Sequence, residues 1–304
     1  MDADRLHGRA VTAHTVIVSP PPPPGRRWSQ VVRRLLTDPL GLLGLALVVL
    51  VVLSALGADW IATHDPLKIS LRARLRPPGP DAWLGTDHLG RDVYSRILYG
   101  GRIALWVSLV AVSSAATVGL VLGMLAGYGP RWLDNALLLT FDAVRSFPTV
   151  MFALALVTLI GPSLGTIITI VVVTSIPVYG RIVRTQTQSL KANDFILAER
   201  ALGAGPVPVL FSHILPNVIG PLLILASMEI PVVITIEAGL SFLGLGVRPP
   251  TPSWGSILSD GYQFIRDTPW LVIAGGVPLI ATTLGFTFLG EALRDAFDPK
   301  LSRD

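Results

Sequence analysis

Uncharged apolar runs of about twenty residues, the length needed to cross a bilayer, recur along the chain, separated by polar segments. Leu40–Ala58 is one, 19 residues without a charge, and Ile103–Leu125 is a second, of 23 residues. At 1.5 Å per residue the first reaches about 28 Å, close to the hydrocarbon thickness of a membrane. A third apolar region runs from Leu133 to Ile160. Asp142 and Arg145 lie in its first turns, three apart on one helical face, and its deeper part begins near Ser146. Gly165–Val183, Val218–Leu245 and Trp270–Gly290 follow. Ser146–Gly180 is free of charge over 35 residues; as one helix it would be about 52 Å long, too long for a bilayer even when tilted. Gly161-Pro162 therefore divides it into two helices. The pattern predicts an all-α, polytopic transmembrane helical bundle of six spans.

Composition agrees. Of 304 residues, 51% are hydrophobic and 14% charged, against about a quarter charged in an ordinary soluble domain. There is no cysteine, hence no disulfide and no thiolate ligand. The net charge of +4 is carried by residues flanking the apolar runs, which points to orientation in a lipid bilayer and not to nucleic acid. With the N-terminus inside, the inner segments hold 15 Lys and Arg and the outer ones 9, seven of these in the first outer loop. Both termini are then expected in the cytoplasm. Arg33-Arg34 ahead of the first run suggests a twin-arginine signal, but that run is long for a signal core and several spans follow it. The expected division is a disordered, Pro-rich cytoplasmic tail (1–38, with Pro20 to Pro24 uninterrupted), a first span and outer loop (39–102), a core (103–292) containing a cytoplasmic loop (184–217), and a cytoplasmic C-terminal tail (293–304).

Catalytic patterns are missing. The sequence has no Gly-x-x-x-x-Gly-Lys to hold nucleotide phosphates, no His-Glu-x-x-His and no Gly-x-Ser-x-Gly. His7, His14, His64, His88 and His213 share no ligand spacing. No enzyme, metal centre or bound cofactor is expected. Within the spans, Glu229 lies mid-way along the fifth, where a charge is costly unless it faces a partner or water. It reads either as a pathway or interface residue or as a carboxyl satisfied by a neighbouring helix. Glu237, nearer the outer end, is a second candidate pathway or interface residue, with a structural role as the alternative reading. Pro177 and Pro231 are expected to kink their spans.

The longest inner loop carries a short helix with its own start and stop signals. Asn193 or Asp194 suits an N-cap, residues 195–202 are good helix formers, and Gly203 suits the left-handed position after the end. Phe195, Ile196, Ala198, Ala201 and Leu202 make it largely apolar. Two turns are unstable alone, so this helix packs against its own membrane domain or against another subunit.

This loop, continued by Phe211-Ser212-His213-Ile214-Leu215-Pro216-Asn217, resembles the "EAA" loop of bacterial ABC-importer permeases. Gly203, Leu215 and Pro216 match its fixed positions. The Glu-Ala-Ala itself falls on Leu197-Ala198-Glu199, where only Ala198 agrees. Further segments are similar to the C-type permeases of dipeptide, oligopeptide and nickel importers: Leu84-Gly85-Thr86-Asp87-His88-Leu89-Gly90-Arg91-Asp92, then Glu237-Ala238-Gly239-Leu240-Ser241-Phe242-Leu243-Gly244-Leu245-Gly246 with Pro249-Pro250 and Trp254-Gly255, and Leu293-Arg294-Asp295-Ala296-Phe297-Asp298-Pro299. The resemblance covers about residues 30–300. It implies a type I ABC-importer permease architecture in a bacterial inner membrane, importing di- or oligopeptides or a related small solute. Implied partners are a second, B-type permease, two cytoplasmic ABC ATPase subunits that hold ATP and Mg, and an extracytoplasmic solute-binding protein. The ATPase-coupling residues it implies are Asp194, Phe195, Leu197, Ala198, Glu199, Arg200, Ala201, Leu202, Gly203, Leu215 and Pro216. The competing reading, a self-sufficient secondary transporter or channel, calls for inverted repeats and several buried ionisable groups near the midplane; no repeat is evident and Glu229 stands nearly alone.

Overall fold

The computed structural model describes residues 37–297; segments 1–36 and 298–304, with the tails expected there, lie outside the described residues. Nine helices of eight residues or more build the described chain, and its only β pairing is two isolated bridges, Gly79 with Ala82 and Thr86 with Asp92. Helix α1 (Pro39–Leu56) starts where Asp38 accepts from the Leu40 and Gly41 amides and Pro39 takes the first turn. One more turn, Ala58–Ile61, leads into the loop 62–92.

Helix α2 (Val93–Tyr128) begins ten residues before the uncharged run that announced it. Its extra turns carry Arg96 and Arg102, whose charges are absorbed locally. Arg102 Nε donates to the Ala55 carbonyl at 2.6 Å and Nη2 to the Leu56 carbonyl at 2.9 Å, both at the end of α1. Its guanidinium also pairs with Asp59. A cation there stabilises the negative end of the α1 dipole.

The third crossing differs from expectation. It is not a helix starting near Ser146 but a broken pair, α3 (Arg131–Arg145) and α4 (Thr149–Ile160), bent by 87°. Pro148 explains the break, since it disfavours helical backbone at the residue before it. Asp142 and Arg145 consequently lie in the last turns of α3. With 12 residues α4 is about 18 Å long, too short to cross alone. Gly161, at φ +89°, ends α4, and Ser163 caps α5 (Leu164–Lys191) by accepting from the Thr166 amide. The division expected at Gly161-Pro162 is thus present.

Helices α2 and α5 form the centre of the bundle. Gly119, Gly123 and Gly127 line one face of α2, and each meets α5 with no room for a side chain. A Cβ on Gly119 would collide with Tyr179, one on Gly123 would stand 2.6 Å from the Gly180 carbonyl, and one on Gly127 2.6 Å from Thr187 Cβ. This is the small-residue spacing that lets membrane helices approach closely. On the far side of α5, Gly180 receives the Phe141 ring of α3. Arg184 clamps Asp134, with Nη2 to Oδ2 at 2.7 Å, and Arg181 pairs with Asp142.

After α6 (Asp194–Ala201), a wide turn of helix at Val209–Ile214 runs straight into α7 (Leu215–Phe242). Helix α8 (Trp254–Gln263), not foreseen from hydrophobicity, is started by a reciprocal Ser253–Ser256 cap and packs on α7 and α9 (Trp270–Phe297). Five helices are long and apolar enough to cross a membrane, six crossings if the bent pair counts as one. Asp38 and Asp295 line one cavity, placing the start of α1 beside the end of α9. Lys191 Nζ donates to the Tyr128 carbonyl at 2.7 Å, placing the ends of α2 and α5 together. Since α1 and α2 meet at their opposite ends through Arg102, both described chain ends and α6 lie at the same end of the bundle.

Candidate functional site

Helix α6 follows α5 as a short helix of eight residues. Asn193 occupies its N-cap position, though its side chain makes no capping hydrogen bond. At the other end, the Gly203 amide donates to the Arg200 carbonyl at 3.1 Å and the Ala204 amide to the Glu199 carbonyl at 3.0 Å, with Gly203 at φ +93°. This is the Schellman closure. Ile196 is fully buried and anchors the helix, while Phe195, Leu197 and Leu202 are exposed, Leu202 at 87%. Asp194, Ala198, Arg200 and Ala201 are exposed as well, and Glu199 is half-buried. Phe195 sits edge-on to His213 with ring centroids 6.0 Å apart, and His213 Nε2 lies 3.6 Å from Glu199 Oε1. His213 belongs to the wide turn feeding α7, so α6 touches both the end of α5 and the start of α7. Leu215 and Pro216 open α7, one half-buried and the other exposed. The Phe211 side chain, 61% exposed, extends the apolar surface.

The other quoted motifs gather at the opposite end. Gly85 and Gly90 have φ +75° and +74°, and a Cβ on Gly90 would strike the Ser70 carbonyl, so the 84–92 loop is tightly folded. Asp87 accepts from the Leu89 and Arg91 amides at 2.8 and 2.9 Å and from Arg91 Nε at 2.6 Å, and Arg96 Nε lies 3.4 Å away. Asp260 of α8 completes the network, 3.4 Å from His88 Nδ1 and 3.6 Å from Arg91 Nη2. Burial pushes the Asp260 carboxyl above its ordinary value, against the pull of His88 and the two guanidiniums. Asp87, His88 and Asp260 bring three ligand atoms within 4.8 Å, but Arg91 and Arg96 already supply the positive charge a metal would bring. The cluster is an ion network that ties the loop to α2 and α8, although His88 Nδ1 and Arg96 Nε and Nη1 are buried without a hydrogen bond among the described residues. His64 and His88 thus have partners that spacing along the chain did not reveal; His64 Nδ1 lies 4.0 Å from Asp92. In the second motif, Glu237 is fully buried and accepts from Ser241 Oγ at 2.8 Å, and Ser241 Oγ in turn accepts from the Val247 amide at 3.2 Å. Glu237 therefore sits inside the bundle near the outer end of α7. Glu229 is half-buried in mid-helix, away from both motif clusters.

A broken third crossing, a glycine-packed central pair and a short helix slung between two crossings define the membrane subunit of an ABC importer. Inward-facing structures of the methionine ABC transporter MetNI share this fold in two crystal forms. One matches with a TM-score of 0.55 and 19% identity, covering 67% of this chain and 97% of that one, the other with 0.52 and 20%, covering 66% and 95%. The chain belongs to the family of binding-protein-dependent transport system inner membrane components, whose model matches residues 119–303, and the N-terminal transmembrane domain of oligopeptide transport permease C matches residues 26–78. It is 37% identical over 274 residues to a dipeptide transport system permease protein of Alkalihalophilus pseudofirmus, covering 90% of each chain. It is 36% identical over 275 residues to a glutathione transport system permease protein of Pectobacterium atrosepticum, covering 90% and 91%. To a probable D,D-dipeptide transport system permease protein of Escherichia coli it is 32% identical over 290 residues, covering 95% and 97%. The chain is a multi-pass inner-membrane permease that works with ATPase and permease partners, the ATP chemistry lying outside it.

Proposed function

We propose that this chain is the C-type permease of an importer for di- and oligopeptides. It pairs with a B-type permease, is driven by two cytoplasmic ATPase subunits that hold ATP and Mg, and receives solute from an extracytoplasmic binding protein. Peptides are the substrate class that the relatives' names share most widely. Both termini and α6 face the cytoplasm in this reading, which puts the larger share of Lys and Arg inside.

The observation that carries the proposal is the exposure of α6. A two-turn helix is too short to be stable alone, yet α6 buries Ile196 and leaves Phe195, Leu197 and Leu202 uncovered. An apolar helical face of this kind fits a groove on a partner. Asp194, Ala198, Glu199, Arg200 and Ala201 form the rest of the docking surface, Gly203 ends it, and Leu215-Pro216 passes its movement to α7.

Because the chain has no cysteine, a single one can be introduced at Ala198 or Leu202 without other changes. Cross-linking from either position in the assembled transporter is expected to capture the ATPase subunit, with a yield that changes when ATP is bound. Capture of lipid or of the permease alone overturns the coupling role.

A further inference from the structure

The loop 62–92 carries charge that the rest of the chain does not absorb. Seven Lys and Arg lie between residues 59 and 102. Arg91, Arg96 and Arg102 are paired with Asp87, Asp260 or Asp59. Lys68, Arg72, Arg74 and Arg76 are exposed, and none of these four has an ion pair among the described residues. No acid lies between Asp65 and Asp81. Cations gathered at the end of the bundle away from the larger basic share run against the usual bias of a membrane protein, so these four need a reason of their own. The segment also alternates. Leu67-Lys68-Ile69-Ser70-Leu71-Arg72-Ala73-Arg74-Leu75-Arg76 sets an apolar residue at every odd number and a cation at every even one except Ser70. Leu67, Ile69 and Leu71 are exposed, Leu71 at 69%.

Hydrogen bonds hold this stretch in place. The Ser70 amide donates to the Leu89 carbonyl at 3.0 Å, the Leu75 amide to the Asp87 carbonyl at 3.1 Å and the Arg76 amide to Thr86 Oγ1 at 2.9 Å. Arg76 Nη2 reaches the Arg72 carbonyl at 3.4 Å, which sets two of the cations side by side. Arg74 is turned over the Phe264 ring, 5.5 Å from its centroid. The level is set at the start of the stretch. Leu67 lines one cavity with Asp59 and Tyr99, and the Tyr99 hydroxyl donates to Asp59 at 2.7 Å. Asp59 comes three positions, about 5 Å, after Leu56, the last residue of α1. Leu50, Leu53 and Leu56 of α1 are exposed along a lipid-facing flank, and Trp60, 86% exposed, stands just past its end. Tryptophan in that place marks the headgroup layer, so the alternating stretch begins in that layer.

We propose that residues 67–76 form a seat for the headgroups of anionic phospholipid, with Lys68, Arg72 and Arg76 on the phosphates and Ile69 and Leu71 dipping beneath them. The charge is complementary, and basic segments beside a span are drawn to anionic lipid. The spacing favours lipid over a protein partner. A protein interface gathers its apolar groups into a core depleted of charge, whereas here each exposed apolar side chain has a cation beside it. That mixture suits a headgroup layer, where apolar side chains and the stems of Lys and Arg go down and the charged ends stay up. The seat does not depend on which solute is carried.

The test uses the assembled transporter, with cysteine-free partner subunits, in vesicles of phosphatidylcholine alone or in equal parts with phosphatidylglycerol. Ile69→Cys, the one cysteine of this chain, carries an environment-sensitive fluorophore. Quenching by phosphatidylglycerol spin-labelled near its headgroup is expected in the mixed vesicles, and it should weaken at high salt. In phosphatidylcholine alone the fluorophore should become more open to aqueous iodide. The amount of spin-labelled lipid needed for half-quenching should rise about 5-fold for each of Lys68→Gln, Arg72→Gln and Arg76→Gln. Arg72→Lys with Arg76→Lys should keep the wild-type value, since the charge is kept. The comparison of the two vesicle types needs no charge variant, so it decides even where a substitution disturbs folding. Equal iodide quenching in both vesicle types overturns the seat. So does half-quenching that is unchanged by removal of all three charges. Shielding from iodide that appears only when the solute-binding protein is added also overturns it, and gives this face to a protein.

Discussion

The Trp254 indole donates a 2.9 Å hydrogen bond to the Ile97 carbonyl, and its ring lies over Gly100 and Gly101 of α2. A loop helix is thereby fastened to a crossing 157 positions away in the sequence. Trp254 is 2% exposed, so its removal opens a large cavity and breaks this added hydrogen bond. Trp254→Ala should destabilise the outer end by about 3–5 kcal/mol, read as a lowered midpoint in thermal unfolding of the detergent-solubilised protein. An unchanged midpoint would show that α8 is held by other contacts.

The α2–α5 contact makes a second prediction. Gly123→Leu sets its Cβ 2.6 Å from both the Gly180 carbonyl and Val183 Cβ, and the backbones must separate. A loss of about 1–3 kcal/mol or more is expected. Gly220 of α7 has nothing within 4 Å of the place its Cβ would take, and Gly220→Ala should leave the midpoint unchanged or raised. Equal effects of the two substitutions would contradict close packing as the cause.

Gly203 is required for its backbone and not for space. Nothing lies within 4 Å of its missing Cβ, but its φ is +93°. Gly203→Ala should cost about 1–2 kcal/mol locally and reduce transport in part. Gly203→Pro, whose ring fixes φ near −65°, should abolish uptake while the protein still accumulates in the membrane fraction. Uptake measured beside an immunoblot of that fraction decides, and normal transport by the proline variant would remove the turn from the coupling route.

The Asp134–Arg184 clamp is largely shielded, with side chains 14% and 22% exposed. A double-mutant cycle through Asp134→Asn and Arg184→Gln should give a coupling energy of about 0.5–3 kcal/mol. The reversed pair Asp134→Arg with Arg184→Asp should recover part of it. Strict additivity of the single effects would show that the two act independently.

Much of this architecture is written in apolar run length, because a membrane span must satisfy its backbone internally over a fixed thickness. The stop at Gly161 and the lever closed by Gly203 were legible for a similar reason, since each depends on one residue's own dihedral preference. What run length could not reveal depends on partners. Arg96 and Arg102 looked like loop residues until Asp87 and the carbonyls ending α1 absorbed them, and this moved the start of α2 back to Val93. The bend at Pro148 needed the knowledge that Phe141 and two arginine pairs pin α3 along α5. The Gly119, Gly123, Gly127 spacing acquired its meaning only with the structure, which shows α5 lying against all three. Helix α8 was hidden because its apolar residues face α7 and α9 in a segment too short and polar to register as a span.

Where α2 and α5 meet at their glycines, backbone lies on backbone, and that seam holds no layer of long side chains able to repack. Sliding or rolling one helix over the other would break contacts that nothing nearby replaces, so the two behave as a single girder. One end of that girder is followed by α6 after the two residues Ala192-Asn193. The other begins at Val93, directly after the loop braced by Asp87, Arg91 and Arg96. In the coupling role proposed for α6, this seam would carry a tilt from the inner end of the bundle to its outer end.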